Sequence, residues 1–481
     1  MTDTVRVRFA PSPTGEPHIG NIRTVVFNWL FARQNKGKFI LRIEDTDRQR
    51  YQRETINIIM NSLKWLKLDW EEGPDIGGPC KPYTQSERLH LYKKAAEDLI
   101  ASGHAYRCKC TPERLEEVRK TSSGYDRHCR NLSEGSISPL EPHVVRLKVP
   151  YEGQTVVKDM LKGDIIFENR DQQDLIILKS DGFPTYHLAV VVDDNSMGIT
   201  HIIRGDDWIP TAPIHIILYK SFNYKIPVFC HVPLVIAEDG KKLSKRHGAT
   251  SVSEFKSQGY LPEALFNFLA LLGWSPPEGD TQEIFTREEL IEKFDLSRVN
   301  VARACFSYTK LNWMNGMYIR NMEKEKLMEH FIPLWQKAGF IMKPCPEEIR
   351  PKLLKLTELL QARIKILTEV VPMSKFAFID FKIVDTKNLV GKNMTVEQSI
   401  EAFRKIGEKF SGLQNFQETS IKETLEALLF ELGLVPKQLY NMLRWAVTGE
   451  KNSPPLYGTI EVIGKTRTLE RIEKAIELLN V

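Results

Sequence analysis

The chain has 481 residues, 42% of them hydrophobic and 27% charged, enough apolar material for the cores of about three or four domains. No run of eighteen apolar residues occurs, so no membrane-spanning helix is expected, and a first motif beginning by residue 8 leaves no room for a leader peptide. The net charge of +5 and pI near 8.6 are compatible with a polyanionic partner, and seven cysteines, with Cys80, Cys230, Cys305 and Cys345 scattered singly, argue against a disulfide framework and for a reducing cytoplasm.

In chain order, Val5, Val7 and Phe9 alternate with Arg6 and Arg8, the period of a short strand. Pro11, Pro13 and Gly15 break the backbone, and after Gly20 the spacing of Val25, Val26, Trp29 and Leu30 predicts a helix. Phe39 to Ile43 is a second short apolar run. Strand, loop, helix and strand make one βαβ unit, with its loop at the edge where doubly wound sheets bind nucleotides. Gly15 and Gly20 permit close backbone approach, the helix start near Asn21 offers N–H groups to phosphate, and His18 can donate to a phosphate oxygen. Ile56, Ile59, Leu63 and Leu66 predict a further helix, and Ser86 to about Ser102 another. Residues 104–130 carry three cysteines, and from Val144 to Leu178 the texture is that of strands. FPTYHLAVVVDD reads as strand or helix and ends in two carboxylates; ITHIIRGDDW reads as a strand, TAPIHIILYKSF as a helix, and VFCHVPLVIAEDGKKLSK leads into a lysine loop. From Glu254 onward the pattern is helical, with capping boxes at Thr286/Glu289 and Thr395/Gln398, and without repeats or low-complexity segments.

Cys108-x-Cys110 and Tyr125-x-x-x-Cys129 form a second constellation. Three thiols this close in a reducing compartment suit Zn²⁺, which takes four ligands. On chemistry alone the fourth is open, with His128 and His104 both at hand.

RFAPSPTGEPHIGN, then LRIEDTD, then KKLSKRHG together resemble the class I aminoacyl-tRNA synthetases, and within them the bacterial-type glutamyl-tRNA synthetases, over nearly the whole chain. His18-Ile-Gly-Asn21 stands at that class's HIGH motif, with Asn for the last His, and Lys242-Leu-Ser-Lys245-Arg at its KMSKS motif. The resemblance implies an α/β fold: a Rossmann-type catalytic domain (1–88 and 186–237) with an inserted α/β acceptor-binding subdomain (89–185), a stem-contact domain with the lysine loop (238–322) and a helical anticodon-binding region (323–481).

It implies a monomeric cytoplasmic enzyme that joins L-glutamate to its tRNA through glutamyl-adenylate, with ATP as substrate and Mg²⁺ across the phosphates. His18, Lys242 and Lys245 would stabilise the transferring adenylyl group, and Thr14, His18, Gly20, Asn21 and Lys245 would hold ATP. Arg8, Ala10, Ser12, Glu44, Tyr186 and Arg204 would bind glutamate: two carboxylates call for arginine forks, and an ammonium for a carboxylate. Val190 departs from the asparagine common there, which puts the orientation of the substrate in doubt. Tyr125 is implied as the fourth zinc ligand beside Cys108, Cys110 and Cys129. Ungapped placement puts Gln361 where relatives restricted to glutamate tRNA carry an arginine, with Arg363 two residues on. If Gln361 meets the last anticodon base, the enzyme also charges glutamine tRNA; if Arg363 does, it does not. Residues 323–481 argue against a small nucleotidyltransferase and against the short glutamyl transferase that modifies queuosine; the intact motif residues argue against an RNA-binding paralogue without catalysis.

Overall fold

The computed structural model describes residues 4–47, 52–121, 124–133, 135–381 and 385–480. The chain divides into two compact units: Met1–Ser257 with Pro262–Tyr308, and Gln258–Leu261 with Thr309–Val481.

The first unit opens on the expected βαβ turn. β1 (Arg6–Phe9) pairs in parallel with β2 (Lys38–Leu41), and α1 (Ile19–Gln34) crosses between them. α1 is buried on most sides, at Ile22, Val25, Val26, Phe27 and Leu30, because it packs on β1 and β2 and also against elements from much later in the chain. After α2 (Arg53–Trp65) and α3 (Leu89–Ala101) comes the insertion, with β3 (Ala105–Cys108), α4 (Pro112–Thr121), β4 (Val144–Leu147), β5 (Gln154–Asp159), β6 (Gly163–Glu168) and β7 (Ile176–Leu178). Only part of it has its own sheet, the antiparallel set β3-β4-β7. The β5–β6 hairpin instead extends the sheet of the nucleotide fold.

That fold resumes with α5 (Tyr186–Ser196), β8 (His201–Gly205), α6 (Ala212–Ser221) and β9 (Val228–Val232), and the sheet order is β6-β5-β9-β8. FPTYHLAVVVDD resolves as helix: Leu188 to Val192 are all buried, so no polar face betrays the period. The Thr200 N–H donates to the Arg6 carbonyl at 2.9 Å, which sets β8 beside β1. β10 (Val235–Ile236) pairs with β11 (Ala304–Cys305); between them lie α7 (Val252–Gln258), α8 (Pro262–Leu271) and α9 (Arg287–Lys293). Thr286 and Glu289 form the capping box of α9.

In the second unit the described residues form no strand. Its helices are α10 (Tyr308–Arg320), α11 (Lys324–Lys337), α12 (Arg350–Gln361), α13 (Val370–Phe378), α14 (Val396–Gly412), α15 (Glu418–Leu432), α16 (Pro436–Thr448), α17 (Leu456–Ile463) and α18 (Lys465–Leu479). α14 starts on the Thr395/Gln398 capping box and packs Phe403, Ile406 and Phe410 into a core shared with α18.

Candidate active site and metal centre

A cavity of about 490 Å³ opens at the end of β1. Arg8, Ala10, Ser12 and Thr14 of the loop, His18 and Asn21 at the start of α1, and Glu44, Tyr186 and Arg204 from three other segments all line it. Gly20 lies behind this wall, where its N–H donates to His18 Nδ1 at 3.2 Å. That bond makes Nδ1 the acceptor of the imidazole and leaves the proton on Nε2. His18 Nε2 is buried with no well-aligned hydrogen-bond partner among the described residues, though the Leu243 backbone lies close to it. Burial and the neighbouring Lys242 charge hold the imidazole below its ordinary pKa, against opposing effects of Leu243 and Glu254, so it is neutral at pH 7.

The lysine loop is a tight hairpin. Ile236 bridges Lys242, the Ala237 N–H donates to the Lys241 carbonyl at 2.8 Å, and Gly240 takes a φ of +77° at the tip. Beyond it Ser251 bridges His18, and the Ile19 N–H donates to the Thr250 carbonyl at 2.7 Å. The first motif is thus joined backbone to backbone to the segment just past the lysine motif. Lys242 is exposed near His18; Lys245 opens a short 3-10 turn, Lys245–His247, and its side chain lies outside the described residues.

Behind the cavity is a ladder of alternating charge. Asp194 accepts from Arg8 Nε at 3.1 Å and from Arg42 Nη1 at 2.7 Å, while Arg42 Nη2 donates to Glu44 Oε1 at 2.9 Å. Burial raises the Asp194 carboxyl, but Arg8 and Arg42 outweigh it and hold the group below its usual range. Burial raises the Glu44 carboxyl, and Arg42 and Arg8 offset only part of the rise. Asp193 accepts from Arg88 Nε at 2.7 Å and from Tyr92 at 2.9 Å. Sequence reading noticed the two carboxylates but gave them no role. It missed Arg42 too, although Arg42 and Glu44, two apart in extended chain, were bound to share a face.

Arg204 differs from the other pocket arginine. Its Nε donates to His231 Nε2 at 3.0 Å, its Nη1 to the Tyr186 hydroxyl at 3.2 Å, with His215 Nδ1 at 3.3 Å. Among the described residues no carboxylate pairs with it, and it is only 7% exposed. Burial accordingly lowers its pKa. Arg8 pairs with Asp194 and Arg42 with Glu44, so Arg204 differs from both in having no carboxylate in direct contact among the described residues. Val190 is buried in the hydrophobic core rather than on the cavity wall, and imidazole nitrogens of His215 stand beside Tyr186 and Arg204 instead.

The second constellation also assembles. The ligand atoms of Cys108, Cys110 and Cys129 all lie within 4.8 Å of one another, with no histidine nitrogen or carboxylate in the group among the described residues. The Tyr125 hydroxyl stands 3.3 Å from Cys108 Sγ and 3.7 Å from Cys110 Sγ, and Cys110 Sγ is 3.5 Å from Cys129 Sγ. Tetrahedral zinc with thiolates at ~2.3 Å sets sulfurs ~3.8 Å apart, so the three thiols fit Zn²⁺, and the Tyr125 hydroxyl, which accepts the Cys129 N–H at 3.1 Å, stands against two of them. His104 and His128 are exposed, and His104 turns to Ser102 at 3.1 Å. The Arg146 guanidinium lies 3.7 Å over the Tyr125 ring, and Arg114 reaches Cys110 Sγ at 3.6 Å, so two cations offset the negative charge of such a site.

In the second unit, Gln361 closes α12. Its Nε2 donates to the carbonyls of Ile319, Arg320 and Met322 at 2.9, 3.2 and 2.7 Å, capping the end of α10. Arg363 is exposed, and its charge adds to burial in lowering the Arg444 pKa.

Comparisons with known proteins bear on the family and the fold. A family profile described as tRNA synthetases class I (E and Q), catalytic domain, matches residues 4–313, and one described as anticodon binding domain matches 326–476. A glutamate–tRNA ligase of Dehalococcoides mccartyi is 48% identical over 486 residues, covering 100% of this chain and 99% of the relative. One of Borreliella burgdorferi is 43% identical, with 99% of each chain covered. The crystal structure of a glutamate tRNA ligase from Elizabethkingia meningosepticum, in complex with its amino acid, superposes with a TM-score of 0.90 at 34% identity, over 99% of this chain and 100% of that one. The chain therefore belongs to the class I aminoacyl-tRNA synthetases, in the family of the glutamate–tRNA ligases.

Proposed function

We propose that the protein charges glutamate tRNA in two steps at the β1 cavity. An oxygen of the glutamate α-carboxylate attacks the α-phosphorus of ATP; the bond to the bridging oxygen breaks, and pyrophosphate leaves with the electron pair. A hydroxyl of the terminal tRNA ribose then attacks the carbonyl carbon of glutamyl-adenylate, and AMP leaves. The observation that carries the choice of substrate is the buried Arg204 guanidinium, which no carboxylate among the described residues contacts directly. Glutamate brings two carboxylates and one ammonium, a net charge of minus one; glutamine is neutral overall and leaves the cation unmatched. Arg8 and Arg204 take the carboxylates, Glu44 the ammonium, and Tyr186, Ser12 and the Ala10 backbone complete the fit. Thr14, Gly20 and Asn21 serve ATP. His18 donates from Nε2, while Lys242 and Lys245 bring charge that counts chiefly as pyrophosphate departs. Mg²⁺, when bound with ATP, would add charge neutralisation. Pyrophosphate exchange with ATP, glutamate and tRNA tests the reading: exchange should require glutamate, and Lys245→Ala should abolish most of it while glutamate binding persists. Exchange within a fewfold of wild type in that variant would remove Lys245 from the mechanism.

In this reading residues 89–185 hold the tRNA acceptor end, 238–322 contact the stem and 323–481 hold the anticodon, with one structural zinc on Cys108, Cys110, Tyr125 and Cys129. Glutamine tRNA is charged as well. The support is the use of Gln361. With its nitrogen spent on α10, the side chain offers a base only its carbonyl oxygen. Cytosine presents an amino donor on its pairing edge and guanine an imino and an amino donor, so an acceptor does not tell them apart. Charging of glutamine tRNA with labelled glutamate, lost in Gln361→Arg, is the expected result; no product while glutamate tRNA is fully charged refutes it.

A further inference from the structure

We propose that Asp159 and His231 are a positioning pair that holds Arg204 in its substrate-binding geometry, so that the inserted β5–β6 hairpin takes part in recognising glutamate. The inference rests on the reading of Arg204 as a glutamate-binding residue.

Asp159 ends β5, and both it and His231 have fully buried side chains. One carboxylate oxygen, Oδ1, accepts the N–H groups of Leu161 and Lys162, both at 3.0 Å, and so shapes the hairpin turn. The other, Oδ2, accepts the His231 N–H at 3.0 Å and faces His231 Nδ1 at 2.7 Å. Across the ring, His231 Nε2 faces Arg204 Nε at 3.0 Å. A guanidinium has donors and no lone pair, so Nε2 must be the acceptor. The proton is then on Nδ1, where the carboxylate takes it. The opposite tautomer would set N–H against N–H on one side and lone pair against carboxylate on the other. His215 follows the same rule, its Nδ1 toward Arg204 and its Nε2 toward His187 Nδ1 at 3.1 Å. With Nε and Nη1 thus engaged, Nη2 keeps, among the described residues, only the Trp208 carbonyl at 3.5 Å and is the donor left for a carboxylate in the cavity.

The two oxygens also serve backbone N–H groups, Oδ1 those of the turn and Oδ2 that of His231, but the hairpin's place on β9 does not depend on them. The strand bond from the Met160 N–H to the Phe229 carbonyl, at 2.8 Å, would hold the hairpin on β9 with any side chain there. Asp159 and His231 touch no reacting atom in this scheme; they act through Arg204.

The test is steady-state aminoacylation by the full-length protein. Asp159→Asn should raise KM for glutamate about tenfold, because the amide can turn its NH₂ to Nδ1 and favour the wrong tautomer, while kcat and KM for ATP stay within about twofold. His231→Gln keeps an oxygen acceptor for Arg204 that needs no tautomer, and KM should stay within about threefold of wild type. Asp159→Asn added to His231→Gln should then cost less than about twofold more. Damage confined to the hairpin turn would instead persist in both backgrounds and would overturn the proposal, as would an unchanged KM in Asp159→Asn. If Asp159→Asn fails to fold, His231→Leu replaces it: a KM rise there but not in His231→Gln supports the pair, and equal values sink it. Arg204→Gln separates the two levels. A steep KM rise in Arg204→Gln with none in the Asp159 and His231 variants removes only the pair, whereas an unchanged KM in Arg204→Gln removes the reading of Arg204 itself.

Discussion

Arg204 shows how a single side chain can set the charge requirement of a site. Its side-chain partners are imidazoles and a phenol, so no carboxylate among the described residues touches the guanidinium directly, and Asp159 reaches it only through His231. Replacing it by glutamine should raise KM for glutamate on the order of 100-fold, the range of one or two charge-assisted hydrogen bonds. A change under fivefold would refute the assignment. The same cation shapes the pH response. Burial and then Arg204 lower the His187 pKa from 6.5 to about 4, and burial likewise depresses His215 and His231. The unfolded chain therefore takes up these protons first, and stability falls as pH drops through 6.5 toward the folded values. The melting temperature should fall between pH 7.5 and 5, and less steeply in His187→Gln; an identical slope would show that His187 does not contribute. Arg8, Glu44, Tyr186 and Arg204 were legible in the sequence because each sits in a motif. Asp194, Arg42, Asp159 and His231 were not: their bonds join residues 186, 152 and 72 positions apart, distances over which one sequence carries no pairing signal.

Elements repeat the lesson with different physics. β1 was legible from the alternation of Val5, Val7 and Phe9, α1 from the spacing of its apolar residues after a Pro/Gly break, and β2 as a short apolar run, and both capping boxes formed where Ser/Thr-x-x-Glu/Gln spacing placed them. α5 was ambiguous because burial on every side erases the period. The β5–β6 hairpin read as part of a separate module because nothing local marks the sheet a strand will join. At the end of α12, Gln361→Ala should destabilise the second unit by about 1–2 kcal/mol, since buried or half-buried helix-end carbonyls lose their donor. Urea unfolding of the full chain reads this directly, and an unchanged midpoint and slope would show the cap to be energetically idle. The cysteine knuckle should retain about one zinc per chain. Elemental analysis should find retention weakened more in Cys129→Ser than in Tyr125→Phe, because a thiolate binds Zn²⁺ more strongly than a phenol. Metal-free protein with full activity would remove the site.

At the scale of the whole molecule, the tRNA-facing and the substrate-facing electrostatics should separate. A net charge of +5 spread over the surface attracts a polyanion through screened interactions, whereas the pocket charges are buried. Raising KCl from about 50 to about 200 mM should raise KM for tRNA on the order of tenfold or more while KM for glutamate moves less than about twofold. Parallel responses would mean that the pocket is open to bulk ions. The seam between the two signature motifs has a consequence for engineering. The lysine segment is pinned at its entry by the Ile236–Lys242 bridge, in its middle by the buried Leu243, and at its exit by Thr250 and Ser251 clasping the start of α1. It is a segment held at three points, not a free tether. Extra residues spliced into its tip, between Glu238 and Lys241, would lengthen an exposed turn and leave all three ties in place. The same residues spliced between Leu243 and Thr250 would put slack between two of the ties and loosen the register of the lysines against α1.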